Sequence, residues 1–210
     1  RAPEIRRIKD IQAAIARRVK QTIQGTWIRV SNFNDSKVVE KKQITRWQLD
    51  AVSPDHPVYV QSDTGHQGTA NSLALNIAGI DKNTPDPAGG AIDRDASGEA
   101  TGLLYETASQ LVGAKIPAYT LTQIKEGLKQ VFCQFSRWGI TSTHDASATP
   151  TGIRAYQELL SEGFNKVRVN LMVRHDAGPE VALENMKSLG VESGFGNNWL
   201  RVMTLKIWGD

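Results

Sequence analysis

The stretch that decides the fold class is residues 121–145, LTQIKEGLKQVFCQFSRWGITSTHD, in which a helix pattern leads directly into a strand pattern. Apolar residues recur at spacings of three and four from Ile124 to Phe135, as they do on one face of a helix. Gly139 marks the end of this helix, and the strand that follows runs into the polar pair His144 and Asp145.

The same helix–strand unit recurs twice towards the end of the chain. Helices are predicted at about 152–162 and 179–189, and each leads through a glycine to a strand, at about 167–174 and 201–207. Together with the strand at 140–144, this alternation is typical of a parallel sheet with helices outside it, either an open sheet or part of a barrel. We therefore predict three parallel strands, each preceded by a helix.

Polar residues follow these predicted strands at the positions where a parallel sheet places its functional groups. The candidates are His144, Asp145, His175, Asp176 and Asp210. Because the carboxyl ends of parallel strands meet at one edge, these side chains should gather there. Two His-Asp pairs at adjacent strand ends are candidate substrate contacts, although such a pair is also common as a hydrogen-bonded strand terminator.

The last predicted strand carries a lysine among apolar residues. In residues 200–210, LRVMTLKIWGD, strand alternation places Lys206 on one face with Val202 and Thr204. A buried ammonium is costly, so such a lysine is expected to be paired, neutral or chemically converted, and carbon dioxide could convert it to a carbamate that binds a metal ion. The alternative is an edge-strand lysine that reaches water.

The first half of the chain has a different sequence pattern. Residues 3–23 carry one apolar stripe and predict a helix, whereas residues 26–118 contain short strand-like runs separated by turn residues. A helix is predicted from about Ser72 to Ala78, with Asn71 or Ser72 as its cap. The runs AIDRD and GLLYE, at 91–95 and 102–106, are expected to pair as a hairpin.

His66 is the candidate functional residue of this first half. It lies in a Gly-rich loop, GHQG, which is predicted to run directly into the helix at Ser72. A ring donor beside backbone N–H groups would suit an anionic or carbonyl oxygen. The alternative is a turn residue that satisfies local backbone groups.

Composition excludes several classes of function. The chain has 210 residues, 40% of them hydrophobic, which is enough for one domain or two small ones. Its charges, 25 Lys and Arg against 22 Asp and Glu, are mostly scattered and do not imply nucleic acid binding. Cys133 is the only cysteine, so neither a disulfide framework nor a cysteine-rich zinc site is expected.

The sequence predicts no association with a membrane. No apolar run approaches the roughly 20 residues that span a bilayer, and no signal-like segment opens the chain. A cytoplasmic location is slightly favoured, and a homo-oligomer is compatible with the sequence.

Several segments together resemble the metal-dependent amidohydrolases of the amidohydrolase-3 group, the YtcJ-like hydrolases. Pairs such as Gly65-His66, Asn71-Ser72 and Gly89-Gly90 are among the most specific parts of the resemblance. The resembling segments are WI at 27–28, ITRWQLDAVSPDHPVYVQSDTGHQGTANSLALNIAGI at 44–80, DPAGGAIDRDASGEATGLLYETASQLV at 86–112, WGITSTHDAS at 138–147 and LKIWGD at 205–210.

The resemblance implies an α/β fold, a partial (β/α)8 TIM barrel of the metal-dependent hydrolase type. Residues 1–24 and 119–210 would belong to the barrel, and 25–118 would form a mixed α+β insertion after the first barrel helix. Lys206 would be the carboxylated lysine of the fourth strand and a ligand of one or two divalent ions, with zinc expected.

The activity that the resemblance implies is hydrolysis of a C–N bond, or of a related ester bond, in a small-molecule substrate. A metal-activated water would attack the carbonyl carbon. Lys206 is the residue expected at the metal. The candidates for facing the substrate are His66, Asn71, His144, Asp145, His175 and Asp176.

This chain lacks segments that carry other ligands in the family. The His-x-His pair of the first strand, the histidines of the fifth and sixth strands and the aspartate of the eighth strand have no counterpart here. We therefore expect a middle piece of a longer enzyme, inactive alone. The rival hypothesis is a non-catalytic α/β ligand-binding domain in which Lys206 forms a structural salt bridge, and an upstream His-x-His would discriminate between the two.

Overall fold

The computed structural model describes residues 5–164, 166–173 and 179–206, and the chain divides into two compact units, Arg1–Pro117 and Ala118–Asp210. The first unit contains α1 (Ile8–Val19), β1 (Ile28–Phe33), a 3-10 turn (Asp35–Lys37), α2 (Arg46–Asp50), β2 (Val58–Ser62), β3 (Gln67–Ala70), α3 (Ser72–Ala78), β4 (Gly90–Arg94), β5 (Ala100–Glu106) and α4 (Thr107–Gly113). The second contains α5 (Leu121–Arg137), β6 (Ser142–Ala148), α6 (Pro150–Ser161), β7 (Arg168–Val173), α7 (Pro179–Ser188) and β8 (Leu200–Leu205).

The first unit is built on a mixed five-stranded sheet in the order β1-β2-β3-β5-β4. Only β1 and β2 pair in parallel, and the predicted hairpin of β4 with β5 is confirmed. One face packs against α1, whose Ile11 and Ile15 join Val58 of β2 in a buried cluster. A second cluster joins Leu104 of β5 to Leu75 of α3 and Val112 of α4.

Residues 67–70 form strand β3, although the sequence analysis predicted a flexible loop here. The segment QGTA has little strand propensity of its own, but β2 and β5 bind it from both sides. Gly68 leaves room for the Tyr59 ring, since a Cβ atom at this position would lie 2.2 Å from the tyrosine hydroxyl oxygen and the ring would have to move. Tertiary pairing therefore overrides local sequence at β3. The sequence analysis also did not predict α4, whose Ala108 and Val112 are buried in the second cluster.

Helix α1 is part of the first unit by its packing. Three isoleucines, Ile8, Ile11 and Ile15, contribute to the same buried cluster as Ile28 of β1 and Leu49 of α2. The assignment of this helix to a barrel thus stays a prediction.

The second unit is a three-stranded parallel sheet in the order β6-β7-β8. The prediction of three parallel strands, each preceded by a helix, is confirmed. Phe132 of α5 and Tyr156 of α6 pack on the face that carries Val169 and Leu171 of β7. Short helical crossovers enforce this parallel pairing.

The described helices are too short or too polar to span a membrane. None of them, within the described ranges, combines the length and the apolar character that crossing a bilayer requires.

Candidate functional site

A polar row crosses the face of the second sheet that points away from α5 and α6. Val169 and Leu171 are buried against the helices, so Asn170 between them projects to the opposite face. His144 of β6 pairs in register with Asn170, and Arg201 of β8 pairs with it from the other side. His144 is exposed. The structure therefore brings one predicted site residue, His144, together with two polar neighbours that the sequence analysis did not select.

Asp145 lies on the helix-facing side and has structural partners. One carboxylate oxygen accepts a hydrogen bond from the Tyr156 hydroxyl at 3.0 Å, and the other accepts one from the Ser147 backbone N–H at 3.0 Å. The His144–Asp145 pair is thus split between the two faces of the sheet, as strand alternation requires. Both residues lie within β6, which extends to Ala148, and not after the end of the strand as the sequence analysis expected. Asp145 is hydrogen-bonded here as part of the strand's packing on α6.

We expect Tyr156→Phe to destabilise the protein without changing the shape of the core. A hydrogen bond from a buried hydroxyl to a carboxylate contributes about 1–3 kcal/mol, and the phenylalanine leaves Asp145 without that donor. Urea unfolding of Tyr156→Phe, Asp145→Asn and the double variant gives a mutant cycle. Additive losses in that cycle would contradict the coupling of the two side chains.

Tyr156 should also make the free energy of unfolding depend on pH in the alkaline range. Burial, followed by the nearby Asp145 charge, raises the pKa of the Tyr156 phenol well above its ordinary value of 10.0. The folded state therefore keeps this proton to higher pH than the unfolded state, so the contribution is complete below about pH 10 and is lost as pH rises further. The free energy of unfolding should fall more steeply above pH 10 in the wild type than in Tyr156→Phe; parallel curves would refute this.

Lys206 lies directly after the end of β8 and is half-buried, not deep within the strand as the sequence analysis expected. Its backbone N–H donates to the carbonyl of Val173 at 2.9 Å, which continues the ladder of β7 with β8. The residue thus follows the carboxyl end of its parallel strand. This is the end at which such sheets carry their sites.

A β-bulge corrects the face that alternation assigned to Lys206. Leu171 pairs with Val202, but the next residue, Met172, pairs with Thr204, so β8 holds one extra residue at this point. Val202 packs with the helix-facing cluster whereas Thr204 is exposed, so these two side chains do not share a face. Alternation cannot reveal such an insertion, because the bulge is a property of the pairing.

The described residues do not form a complete metal centre by themselves. Nowhere in ranges 5–164, 166–173 and 179–206 do three His, Cys, Asp or Glu side chains come close enough together to hold an ion. His175, Asp176 and Asp210 lie outside the described residues.

His66 does not lie directly before a helix. Strand β3 separates it from α3, whose N-terminus is capped by the Asn71 side chain, which accepts from the Ala74 backbone N–H. Instead, the ring Nδ1 of His66 lies 3.1 Å from a carboxylate oxygen of Glu106, at the end of β5. Both side chains are more than half exposed, at 65% and 54%.

Glu106 has an unusual backbone conformation. Its φ of 48° and ψ of −122° are those of the first central residue of a type II′ turn, which is usually glycine. A residue with a side chain in such a sparsely populated region costs about 1–3 kcal/mol. An exposed ion pair returns at most about 1 kcal/mol. The sequence analysis did not select Glu106 as a functional residue. The only sequence signal for it was its position as the last residue of the predicted hairpin strand GLLYE.

Asn71 has a structural role within the first unit. The side chain is completely buried. Its oxygen accepts from the backbone N–H groups of Val58 at 2.9 Å and Ala74 at 3.0 Å, while its nitrogen donates to the carbonyls of Ser53 at 3.1 Å and His56 at 2.9 Å. The amide thus joins β2, α3 and the turn between α2 and β2, and none of its polar atoms is exposed to a substrate.

A cavity of about 480 Å³ lies between α1 and β1 in the first unit. Its walls are mainly apolar, and its polar lining includes Arg18, Asn34 and Lys37. None of the described residues that line it is an aspartate, a glutamate or a histidine, the usual ligands of a hydrolytic metal site.

Comparison with known proteins identifies the class to which the fold and these residues belong. The sequence model of the amidohydrolase family matches residues 1–210, and the chain therefore belongs to the amidohydrolase family. Two relatives support the same group. YtcJ of Bacillus subtilis (strain 168) is 31% identical over 173 residues, and the N-substituted formamide deformylase of Arthrobacter pascens is 31% identical over 165 residues.

These matches cover most of this chain but a smaller part of the relatives. They extend over 80% and 77% of the chain, but over only 33% and 30% of the two relatives, so the chain spans about a third of their length. A solved structure, an uncharacterised metal-dependent hydrolase from Pyrococcus horikoshii OT3, matches 96% of this chain and 37% of its own length, with a TM-score of 0.62 and 22% identity. At 22% identity, this similarity is evidence for a shared fold alone.

Proposed function

We propose that the full-length protein is a metal-dependent hydrolase that cleaves C–N bonds of small amide-type molecules, or related ester bonds, with a metal-activated water. The observation that carries this proposal is the family match over all 210 residues. The name of the Arthrobacter pascens relative, a deformylase of N-substituted formamides, favours amides over esters. Because the chain spans about a third of its relatives, the proposal concerns the whole protein.

The second unit is proposed to supply three βα units of a (β/α)8 barrel. Its three parallel strands, the helices before each of them and the packing of α5 and α6 on one face support this architecture. Parallel sheets are normally covered on both faces. In a barrel, the face that carries His144 and Asn170 would line the interior.

Lys206 is proposed as a metal ligand after carboxylation. The support is its half-buried position after the carboxyl end of a parallel strand. One or two divalent ions, with zinc expected, would lower the pKa of water and polarise the substrate carbonyl. His144 and Asn170 on the polar row are the described residues of the second unit proposed to contact substrate. For the first unit, the substrate contact of His66 stays a prediction. His175 and Asp176 stay predictions.

The test is hydrolysis by the full-length protein of a panel of N-substituted formamides, N-acyl amides, carbamates and carboxylic esters. We expect amide-type substrates to be preferred at least about tenfold in kcat/KM, which is about 1.4 kcal/mol of transition-state stabilisation. A chelator should abolish turnover, and added zinc should restore it. Binding of these compounds without turnover of any would favour the rival, a ligand-binding domain with Lys206 in a salt bridge.

A further inference from the structure

The pair of His66 and Glu106 is fixed by the backbone as well as by the side chains. The Glu106 backbone N–H donates to the His66 carbonyl at 2.8 Å, one residue beyond the register pair of Gln67 with Tyr105. The side-chain contact, Nδ1 to carboxylate at 3.1 Å, therefore lies at the end of a β ladder. Two residues that are 40 positions apart in sequence are thus brought to one defined geometry.

The structure around Glu106 maintains its unfavourable backbone conformation. Gly90 is the register partner of Glu106, and a Cβ atom there would lie 2.5 Å from the backbone nitrogen of Ala108. The Thr107 hydroxyl donates to the carbonyl of Ala88 at 2.8 Å. Contacts on both sides therefore determine the turn, as is typical where strain persists at functional sites.

The carboxylate of Glu106 makes no capping hydrogen bond to the helix that it precedes. Glu106 is the N-cap residue of α4. N-cap positions favour Ser, Thr, Asp and Asn, whose short side chains reach the first N–H groups of the helix. An exposed contact of this kind, whether the imidazole is neutral or charged, adds little stability. Glycine would suit the backbone better, so stability alone does not account for a glutamate here.

We propose that Glu106 is a positioning residue that holds the His66 imidazole for contact with the substrate. In this arrangement the Nδ1–H group donates a hydrogen bond to the carboxylate, so in the neutral ring Nε2 carries the lone pair and can accept a hydrogen bond. His66 would therefore accept a hydrogen bond from an N–H or O–H donor of the substrate. This role replaces the oxygen-binding role that the sequence predicted, and it rests on the proposed function.

The test combines stability, kinetics and a spectroscopic signature in the full-length protein. We expect Glu106→Gly to raise the melting temperature by a few degrees, since glycine relieves the backbone strain. The same variant should lose about 10- to 100-fold in kcat/KM on an amide that the wild type hydrolyses, by analogy with the loss when the carboxylate partner of a metal-bound histidine is removed. Glu106→Gln, which keeps an acceptor oxygen, should restore part of the activity.

The coupling of the two residues is measured by a mutant cycle. His66→Gln should lower kcat/KM as Glu106→Gly does, and the double variant should be no worse than His66→Gln alone. Lys41→Gly is the matched control, because Lys41 is another residue with positive φ, 51°, and lies in neither site. Its kcat/KM should equal that of the wild type.

Three results would overturn this inference. They are a less stable Glu106→Gly protein, an unchanged kcat/KM in that variant, and losses from His66 and Glu106 that multiply in the double variant. Nitrogen NMR of labelled histidine keeps the inference separate from the proposed function. The Nδ1–H tautomer of His66 should be present in the wild type and reduced in Glu106→Gly, even if no compound in the panel is hydrolysed. A tautomer that does not respond to Glu106 would also reject it.

Discussion

Asn71→Ala is expected to destabilise the first unit by about 3–5 kcal/mol, because a buried polar group left without its hydrogen bond costs about 1–3 kcal/mol. The substitution removes the partners of two backbone N–H groups, those of Val58 and Ala74, and of two carbonyls, those of Ser53 and His56. Some of these groups will find water. A loss of this size is still a large part of the 5–15 kcal/mol that is typical of a whole domain.

Urea unfolding of the wild type, Asn71→Ala, Asn71→Asp and Asn76→Ala tests this expectation. Asn71→Asp replaces the donating nitrogen by an oxygen and adds a charge at a completely buried position, so it should be at least as harmful as alanine. Asn76 is the matched control, since it is exposed on α3. We expect Asn76→Ala to stay within about 0.5 kcal/mol of the wild type. Similar small effects at both positions would show that Asn71 does not hold the unit together.

Lys206→Ala is expected to remove the bound metal and to lower hydrolysis by the full-length protein by about a thousandfold or more, because the activated water depends on the ion. In the proposed chemistry, the neutral amine nitrogen of Lys206 bonds to the carbon of carbon dioxide and a proton is released, which leaves a carbamate anion. Alanine has no amine to react. Modification and metal binding would therefore be lost together.

The measurement is metal analysis of the full-length wild type and Lys206→Ala side by side, together with hydrolysis rates. Added short carboxylic acids should partly rescue Lys206→Ala, because a carboxylate can occupy the place of the carbamate. Lys187 is a matched control in the same unit, since it is exposed on α7, and Lys187→Ala should keep its metal and its rate. Equal metal content and equal rates in Lys206→Ala and the wild type would remove Lys206 from the site.

The sequence by itself determined the elements whose signals are local. Helix α5 and the three parallel strands follow from periodicity and from the glycines that end each helix. The cap of α3 follows from Asn71, whose short side chain reaches the first turn of that helix. Family membership also follows from sequence, since the matched motifs extend along the whole chain.

The tertiary structure decided every feature that depends on pairing between distant segments. Strand β3 forms because β2 and β5 bind it from both sides, although its own residues favour a loop. The bulge in β8 moves Thr204 away from the face of Val202, and no alternation pattern could show it. The Asn71 side chain is buried, and both of its polar atoms are hydrogen-bonded within the fold. The sequence analysis had placed this residue among the candidate substrate contacts.

The candidate site shows the same division. His66 was identifiable from sequence as a histidine in a Gly-rich segment. Its partner Glu106 is 40 residues away and becomes its neighbour only through the pairing of β3 with β5. Side-chain identity is written in the sequence, whereas the distance between two side chains, and hence the hydrogen bond that fixes the ring, exists only once non-local strands have paired.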